Sequence, residues 1–123
     1  MKYLPHIYIA GPYTRPDPVS NTRLAIEVGM GLYKAGVGFP VIPHLSLLTH
    51  MVVPNDDVNF WYDFDLHLLA RCDALLRIPG YSLGADEEER FARDDLGIPV
   101  YSADSYLDLD AMVKWSEDWK CGR

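Results

Sequence analysis

Residues 73–88, DALLRIPGYSLGADEE, place an apolar run before a glycine-containing turn and a group of acidic residues. Residues 73–78 predict a buried β-strand, and residues 81–88 predict a turn that begins a helix. In α/β proteins such a turn leaves backbone N–H groups pointing into the crevice beyond the strand, where phosphorylated or sugar-bearing ligands bind. The stretch therefore predicts a ligand site as well as a fold.

Strands and helices are predicted to alternate along the rest of the chain. The predicted strands are residues 6–10, 39–43, 73–78 and 97–101. The predicted helices run from a cap at Ser20 or Asn21 to Gly36, over residues 57–71, from the acidic turn to Leu96, and around residues 107–115, with a long loop at 44–55. This alternation predicts one domain, residues 1–123, with a flavodoxin-like or Rossmann-like three-layer α/β sandwich and a parallel sheet.

The second predicted strand contains two prolines, Pro40 and Pro43. Proline cannot donate to a strand ladder, so this strand is expected at a sheet edge, which gives the order 2-1-3-4. Strand order then reverses between strands one and three, and ligands bind beyond the carboxyl ends of the strands at such a point. We therefore expect the turn at residues 11–15 to face the turn at residues 81–88 across one crevice.

Composition narrows the classes of partner. The 123 residues are 49% hydrophobic and carry a net charge of −7, without the basic stripe that a nucleic-acid polymer requires. Cys72 and Cys121 have no metal-ligand spacing, so we expect free thiols in the cytoplasm. No apolar run approaches the length of a membrane span, and we predict no membrane partner, metal or cofactor. A small anionic molecule remains a suitable ligand.

Short motifs in this frame resemble the nucleoside 2-deoxyribosyltransferase superfamily. They are residues 8–12 (YIAGP), Asp65 eight residues before Asp73, and Ser82-x-Gly84-Ala85-x-x-Glu88 followed by Ala92 and Gly97-x-Pro99. They extend from Tyr8 to Val100 and most resemble the nucleotide N-hydrolases, which release the base from a (deoxy)nucleoside 5′-monophosphate.

The resemblance implies cleavage of an N-glycosidic bond. Glu88 would be the nucleophile at the anomeric carbon, and Tyr8 would hold its carboxylate in place. Asp65 would contact the ribose or assist the departing base, and Ser82 would bind the 5′ end of the nucleotide. The chemistry is suitable, because a carboxylate can form a covalent glycosyl intermediate that water or a second base resolves.

The turns supply further candidate substrate-binding residues, namely Gly11, Pro12, Arg15, Gly84 and His44. Arg15 is suited to a phosphate, or is an ordinary surface charge. His44 borders a base pocket, or is a loop residue. The aromatic residues 60–62 could stack on a base, although core packing is the commoner role. In the same way, Tyr8 could be only a core aromatic residue, and Asp65 could pair with Arg71.

Spacing leaves a choice between Glu88 and Glu89. Relatives place the glycine of the Gly-x-Pro element one residue closer to the nucleophile, which fits Glu89. The offsets from Ser82 and Gly84, and Ala92 one helical turn further, fit Glu88. We predict Glu88, and expect it in the first helical turn, where the macrodipole favours the ionised form. Solvated surface acids are the alternative.

Two other functions agree with the same residues. One is base exchange between deoxynucleosides, which requires the glycosyl intermediate to be kept from water. The other is a non-catalytic nucleotide-binding module, which would not need an ionised Glu88. By resemblance, the chain is expected to form a homodimer or a larger homo-oligomer.

Overall fold

A computed structural model describes residues 3–122. The strands are β1 (His6–Ala10), β2 (Phe39–Val41), β3 (Ala74–Arg77) and β4 (Val100–Ser102). The helices are α1 (Pro18–Lys34), α2 (Leu47–Val52), α3 (Val58–Leu69), α4 (Leu83–Arg90) and α5 (Tyr106–Cys121). A 3₁₀ turn, Pro43–Ser46, precedes α2, and a π-helical turn, Phe91–Leu96, continues α4. None of the helices within residues 3–122 is both long and apolar enough to cross a membrane.

The four strands form a parallel sheet in the order β2-β1-β3-β4. Tyr8 in the middle of β1 is paired with Val41 of β2 on one side and with Leu75 of β3 on the other. Pro40 lies in the edge strand β2, where a missing N–H donor is tolerated. The predicted α/β sandwich with sheet order 2-1-3-4 is confirmed.

Alternate residues of β1 face opposite sides of the sheet. Ile7 and Ile9 pack in a buried cluster with Ala25 of α1 and Met112 of α5. The cluster on the other side includes Tyr8, Ala10, Leu69 of α3 and Ala85 of α4. Both faces of β1 are therefore covered, as is typical of a parallel sheet. The side chain of Tyr8 consequently lies on the face covered by α3 and α4.

The start of α1 differs from the prediction that Ser20 or Asn21 caps it. The helix begins at Pro18, and the carboxylate of Asp17 accepts a hydrogen bond from the Ser20 N–H at 2.8 Å. Proline at the first helical position is favoured because its φ is already helical and no N–H is needed there. The Asn21 side chain instead donates to the carbonyls of Tyr13 and Arg15, each at 2.9 Å. It thereby fixes the turn that follows β1.

The region predicted to be a loop, residues 44–55, is largely helical. It contains most of the 3₁₀ turn and all of α2. No residue of α2 is buried, so the helix does not need the apolar periodicity from which a helix is predicted. This segment leads from the edge strand β2 into α3 and forms one wall of the site described next.

Candidate active site

Glu88 and Tyr8 meet beneath the carboxyl end of β1. Ser82 caps α4, its hydroxyl oxygen accepting a hydrogen bond from the Ala85 N–H at 3.1 Å. The side chain of Glu88 lies against the sheet, with only 7% of the residue exposed. The Tyr8 hydroxyl, fully buried on β1, donates to Glu88 Oε2 at 2.6 Å. This short bond fixes one oxygen of the carboxylate and leaves the other free to react.

Glu88 was expected in the first turn of its helix, and this prediction is wrong. α4 begins at Leu83, so Glu88 is in the second turn, and the acid in the first turn is Asp86. The pKa of Glu88 is raised to about 7, mainly because the carboxylate is buried and in smaller part because the Asp65 carboxylate lies near it. The Tyr8 hydrogen bond and the positive charge of Arg77 act in the opposite direction. The hydrogen bond from Tyr8, rather than the helix macrodipole, is therefore the interaction that most favours the ionised form of Glu88.

Asp65 is a second acid on the same side of the sheet. It lies on α3, half-buried, and burial raises its pKa to about 6. Its carboxylate makes no hydrogen bond or salt bridge within residues 3–122, and Arg71, the structural partner considered above, is exposed. A partly buried acid without a protein partner is typical of functional sites.

Both acids line a cavity of about 320 Å³ beyond the carboxyl ends of β1 and β2. Its walls come from the turn after β1, the segment after β2, the start of α3, and α4. The lining residues include Gly11, Tyr13, His44, His50, Asn55, Trp61, Asp65 and Glu88. A cavity of this size is in the range of small-molecule sites.

His44 ties the segment after β2 to the turn after β1. It is buried, and its Nε2 lies 3.0 Å from the carbonyl oxygen of Pro12. Because a carbonyl only accepts, Nε2 carries the proton and donates. Burial lowers the pKa of His44, while the Pro12 carbonyl opposes that shift. The ring is therefore neutral at pH 7. Its Nδ1 is buried without a hydrogen-bond partner, and the centroid of the Tyr13 ring lies 6.0 Å from that of the His44 ring.

A separate hydrogen-bonded unit forms the outer wall of the cavity. Trp61 donates from Nε1 to the Asn55 carbonyl at 2.6 Å, and the Asn55 N–H donates to Nδ1 of His50 at 3.2 Å. The rings of His50 and Trp61 contact each other edge to face at 5.8 Å. Of the three aromatic residues 60–62, only Trp61 lines the cavity. His50 and Asn55 were missed, since nothing in their local sequence distinguishes them from ordinary loop residues.

The predicted phosphate-binding residues lie beside this cavity rather than in its wall. Pro12 and Arg15 line a shallow cleft together with Gly80 and Tyr81. Pro12 and Gly80 are in contact, since a Cβ on Gly80 would lie 2.7 Å from Pro12 Cγ. The turn after β1 therefore contacts the residue just before the predicted turn at 81–88, and Tyr81 of that turn lines the same cleft as Arg15. Ser82 lies at the start of α4, in sequence between Tyr81 of the cleft and Glu88 of the cavity, and it lines neither of them.

Gly84 is exposed in the first turn of α4. A Cβ there would meet only Ser82 Oγ, at 4.0 Å, so packing does not require glycine at this position. Gly11 differs, because its Cβ would lie 3.0 Å from that of Ile78. The turn after β1 therefore passes close to Ile78, the residue that follows β3.

Among residues 3–122, no group of three or more His, Cys, Asp or Glu side chains is arranged to hold a metal ion. Asp56, Asp65 and Glu88 are the carboxyl side chains that line the cavity, and the Tyr8 hydroxyl binds Glu88. Neither models of known protein families nor curated protein sequences match this chain.

Proposed function

We propose that this protein cleaves the N-glycosidic bond of a (deoxy)nucleoside 5′-monophosphate and releases the free base. The observation that carries the proposal is the buried Glu88 carboxylate, held by Tyr8 at 2.6 Å in a cavity that Asp65 also lines. Glu88 and Asp65 in one cavity can supply the nucleophile and the proton donor that such a reaction needs. The motif resemblance described above points to the same reaction.

In the first step, the free oxygen of Glu88 attacks the anomeric carbon. The bond between that carbon and the base nitrogen breaks, and its electron pair goes to the base. Asp65 in its neutral form donates a proton to the departing base, which leaves Asp65 ionised. The product on the enzyme is a glycosyl ester of Glu88.

In the second step, a water molecule attacks the same carbon. Asp65, now a carboxylate, accepts a proton from the water, and the ester bond to Glu88 breaks. The sugar phosphate leaves with a free anomeric hydroxyl, and both acids return to their starting protonation. Water is the only co-reactant that this sequence needs.

The phosphate is proposed to lie between the start of α4 and Arg15. Ser82 uses its oxygen lone pair to cap α4, so its hydroxyl proton remains available to donate to a phosphate oxygen. The first N–H groups of a helix have no partner within the helix, and the macrodipole favours an anion there. Arg15 adds a positive charge from the exposed side of the adjoining cleft.

The test is base release from ribo- and deoxyribonucleoside 5′-monophosphates and from the corresponding nucleosides. Wild type is compared with Glu88→Gln and with the matched neighbour variant Glu89→Gln. We expect release from monophosphates, a loss of at least about 1000-fold in Glu88→Gln, and at most a few-fold loss in Glu89→Gln, whose amide oxygen can still accept from Arg77.

The alternatives give different results. Release that requires an added acceptor base would identify base exchange. Binding of monophosphates by wild type and Glu88→Gln alike, without release, would identify a non-catalytic module. If Glu89→Gln is inactive and Glu88→Gln is active, the nucleophile has been assigned to the wrong residue.

A further inference from the structure

Arg77 is a nearly buried cation at the carboxyl end of β3, with its side chain 11% exposed. All three of its guanidinium nitrogens donate hydrogen bonds. Nε donates to the Ile78 carbonyl at 2.9 Å, and Nη2 donates to the Gly80 carbonyl at 2.7 Å. Nη1 donates to the Asp86 carboxylate at 2.8 Å. One side chain thus joins the end of the strand, the following turn and the first turn of α4.

The same guanidinium reaches a second acid on the helix. Nη1 lies 3.5 Å from Oε1 of Glu89. Asp86 and Glu89 are three residues apart and so share one face of α4. Attachment of that face to β3 restricts rotation of the helix about its axis. Glu88, adjacent to Glu89 in the chain, is thereby kept directed at Tyr8.

We propose that Arg77 is a positioning residue for base release, setting the rotation of α4 and the shape of the turn that presents Ser82 and Glu88. This inference rests on the proposed function, because it assigns Arg77 a role in that reaction. It also explains why a cation is buried at this point, where an apolar side chain would avoid the cost of desolvating a charge. The planar fork of arginine can serve three acceptors at once, and lysine cannot reproduce that geometry.

Arg77 also favours the ionised form of Glu88 through its charge. Geometry and charge can be separated by two substitutions. Arg77→Lys keeps the charge and loses the fork, whereas Arg77→Met loses both. Asp86→Asn keeps an acceptor for Nη1 and removes one of the two carboxylates, on a side chain that is 62% exposed.

The experiment measures kcat, KM and the pH profile of base release for these three variants. The matched control is Arg90→Met, which removes an exposed guanidinium that pairs with Glu87 and Asp95 on the same helical segment. Displacement of a reacting group by about 1 Å can cost about 100-fold. For Arg77→Lys we expect kcat to fall at least about tenfold, with KM within about threefold of wild type and the acidic limb of the pH profile unmoved.

For Arg77→Met we expect a larger fall in kcat and an acidic limb moved to higher pH, because the charge that favours ionised Glu88 is gone. For Asp86→Asn we expect a fall of a few-fold, and for Arg90→Met no change. Thermal unfolding of each variant shows whether it is folded. If Arg77→Met does not fold, Arg77→Lys and Asp86→Asn carry the test.

Wild-type kcat and pH profile in Arg77→Lys and Asp86→Asn, with only a lowered melting temperature, would show that Arg77 is purely structural and overturn the inference. An equal loss in Arg90→Met would also overturn it, since any charge change on α4 would then suffice. A wild-type protein that releases no base from any substrate refutes the proposed function itself, and with it the role given to Arg77.

Discussion

Replacing Glu88 with glutamine should make the protein more stable at alkaline pH. Burial raises the pKa of Glu88 from 4.5 to about 7, so the folded protein holds a proton that the unfolded chain releases between those values. The favourable contribution of this group is complete below pH 4.5 and is lost as the pH rises through about 7. With about 1.36 kcal/mol for each pKa unit, ionisation of Glu88 lowers the free energy of unfolding by about 3 kcal/mol. Glutamine cannot ionise, and its amide oxygen can still accept the Tyr8 hydrogen bond.

The assay is equilibrium unfolding in urea at a series of pH values from about 4.5 to about 8.5. Wild type should lose stability over this range, whereas Glu88→Gln should lose about 3 kcal/mol less. Glu89→Gln is the control, because Glu89 lies next to Glu88 but contacts the surface cation Arg93 and the guanidinium of Arg77. It should follow the wild-type trend. Parallel curves for wild type and Glu88→Gln would mean that burial does not hold a proton on this carboxyl, and the reasoning would fail.

Three other substitutions test separate parts of the site. Tyr8→Phe removes a hydrogen bond that favours the ionised carboxylate of Glu88. Because such bonds contribute about 1.5–3 kcal/mol, the acidic limb of the kcat/KM profile should move up by about one to two pH units. An acidic limb that does not move would show that Tyr8 does not favour the charged form. The pH profile of wild-type kcat/KM should be bell-shaped, with apparent pKa values of about 6 and 7 that belong to the pair of acids. Asp65→Asn should remove the alkaline limb of this profile. An alkaline limb that persists in Asp65→Asn would assign the proton donor to another group. Gly84→Ala should raise KM for monophosphates about tenfold without lowering the melting temperature, because a Cβ has room in the free protein but would obstruct a phosphate at the helix start. Equal KM values for wild type and Gly84→Ala, measured by initial rates, would place the phosphate elsewhere.

The order of strands could be predicted because local patterns and topology rules agree. Pro40 and Pro43 predicted an edge position for the second strand, of which Pro40 lies in β2, and the apolar run at residues 73–78 identifies a central strand. Once that order is known, the turns after β1 and β3 must be neighbours. The meeting of Tyr8 with Glu88 follows from the same topology, since one lies on the central strand and the other on the helix that covers it.

The features that could not be predicted depend on contacts between segments that are distant in the chain or that carry no periodic pattern. Glu88 was expected to be held in its ionised form by the helix start, yet it lies one turn further along, where burial dominates. α2 escaped prediction because none of its residues is buried. The roles of His50 and Asn55 depend on how this segment folds against Trp61, which no local motif records.

The unit formed by His50, Asn55 and Trp61 has a consequence for how the protein could change over time. The groups proposed to do the chemistry belong to β1, α3 and α4, whereas His50 and Asn55 belong to α2 and the segment after it and are joined by hydrogen bonds to Trp61 near the start of α3. Substitutions of His50 and Asn55 can reshape this wall of the cavity without changing any residue of β1 or α4. For the proposed reaction, base preference can therefore change, or be redesigned, independently of the cleavage step, in the way that loop variation on a fixed scaffold diversifies enzymes.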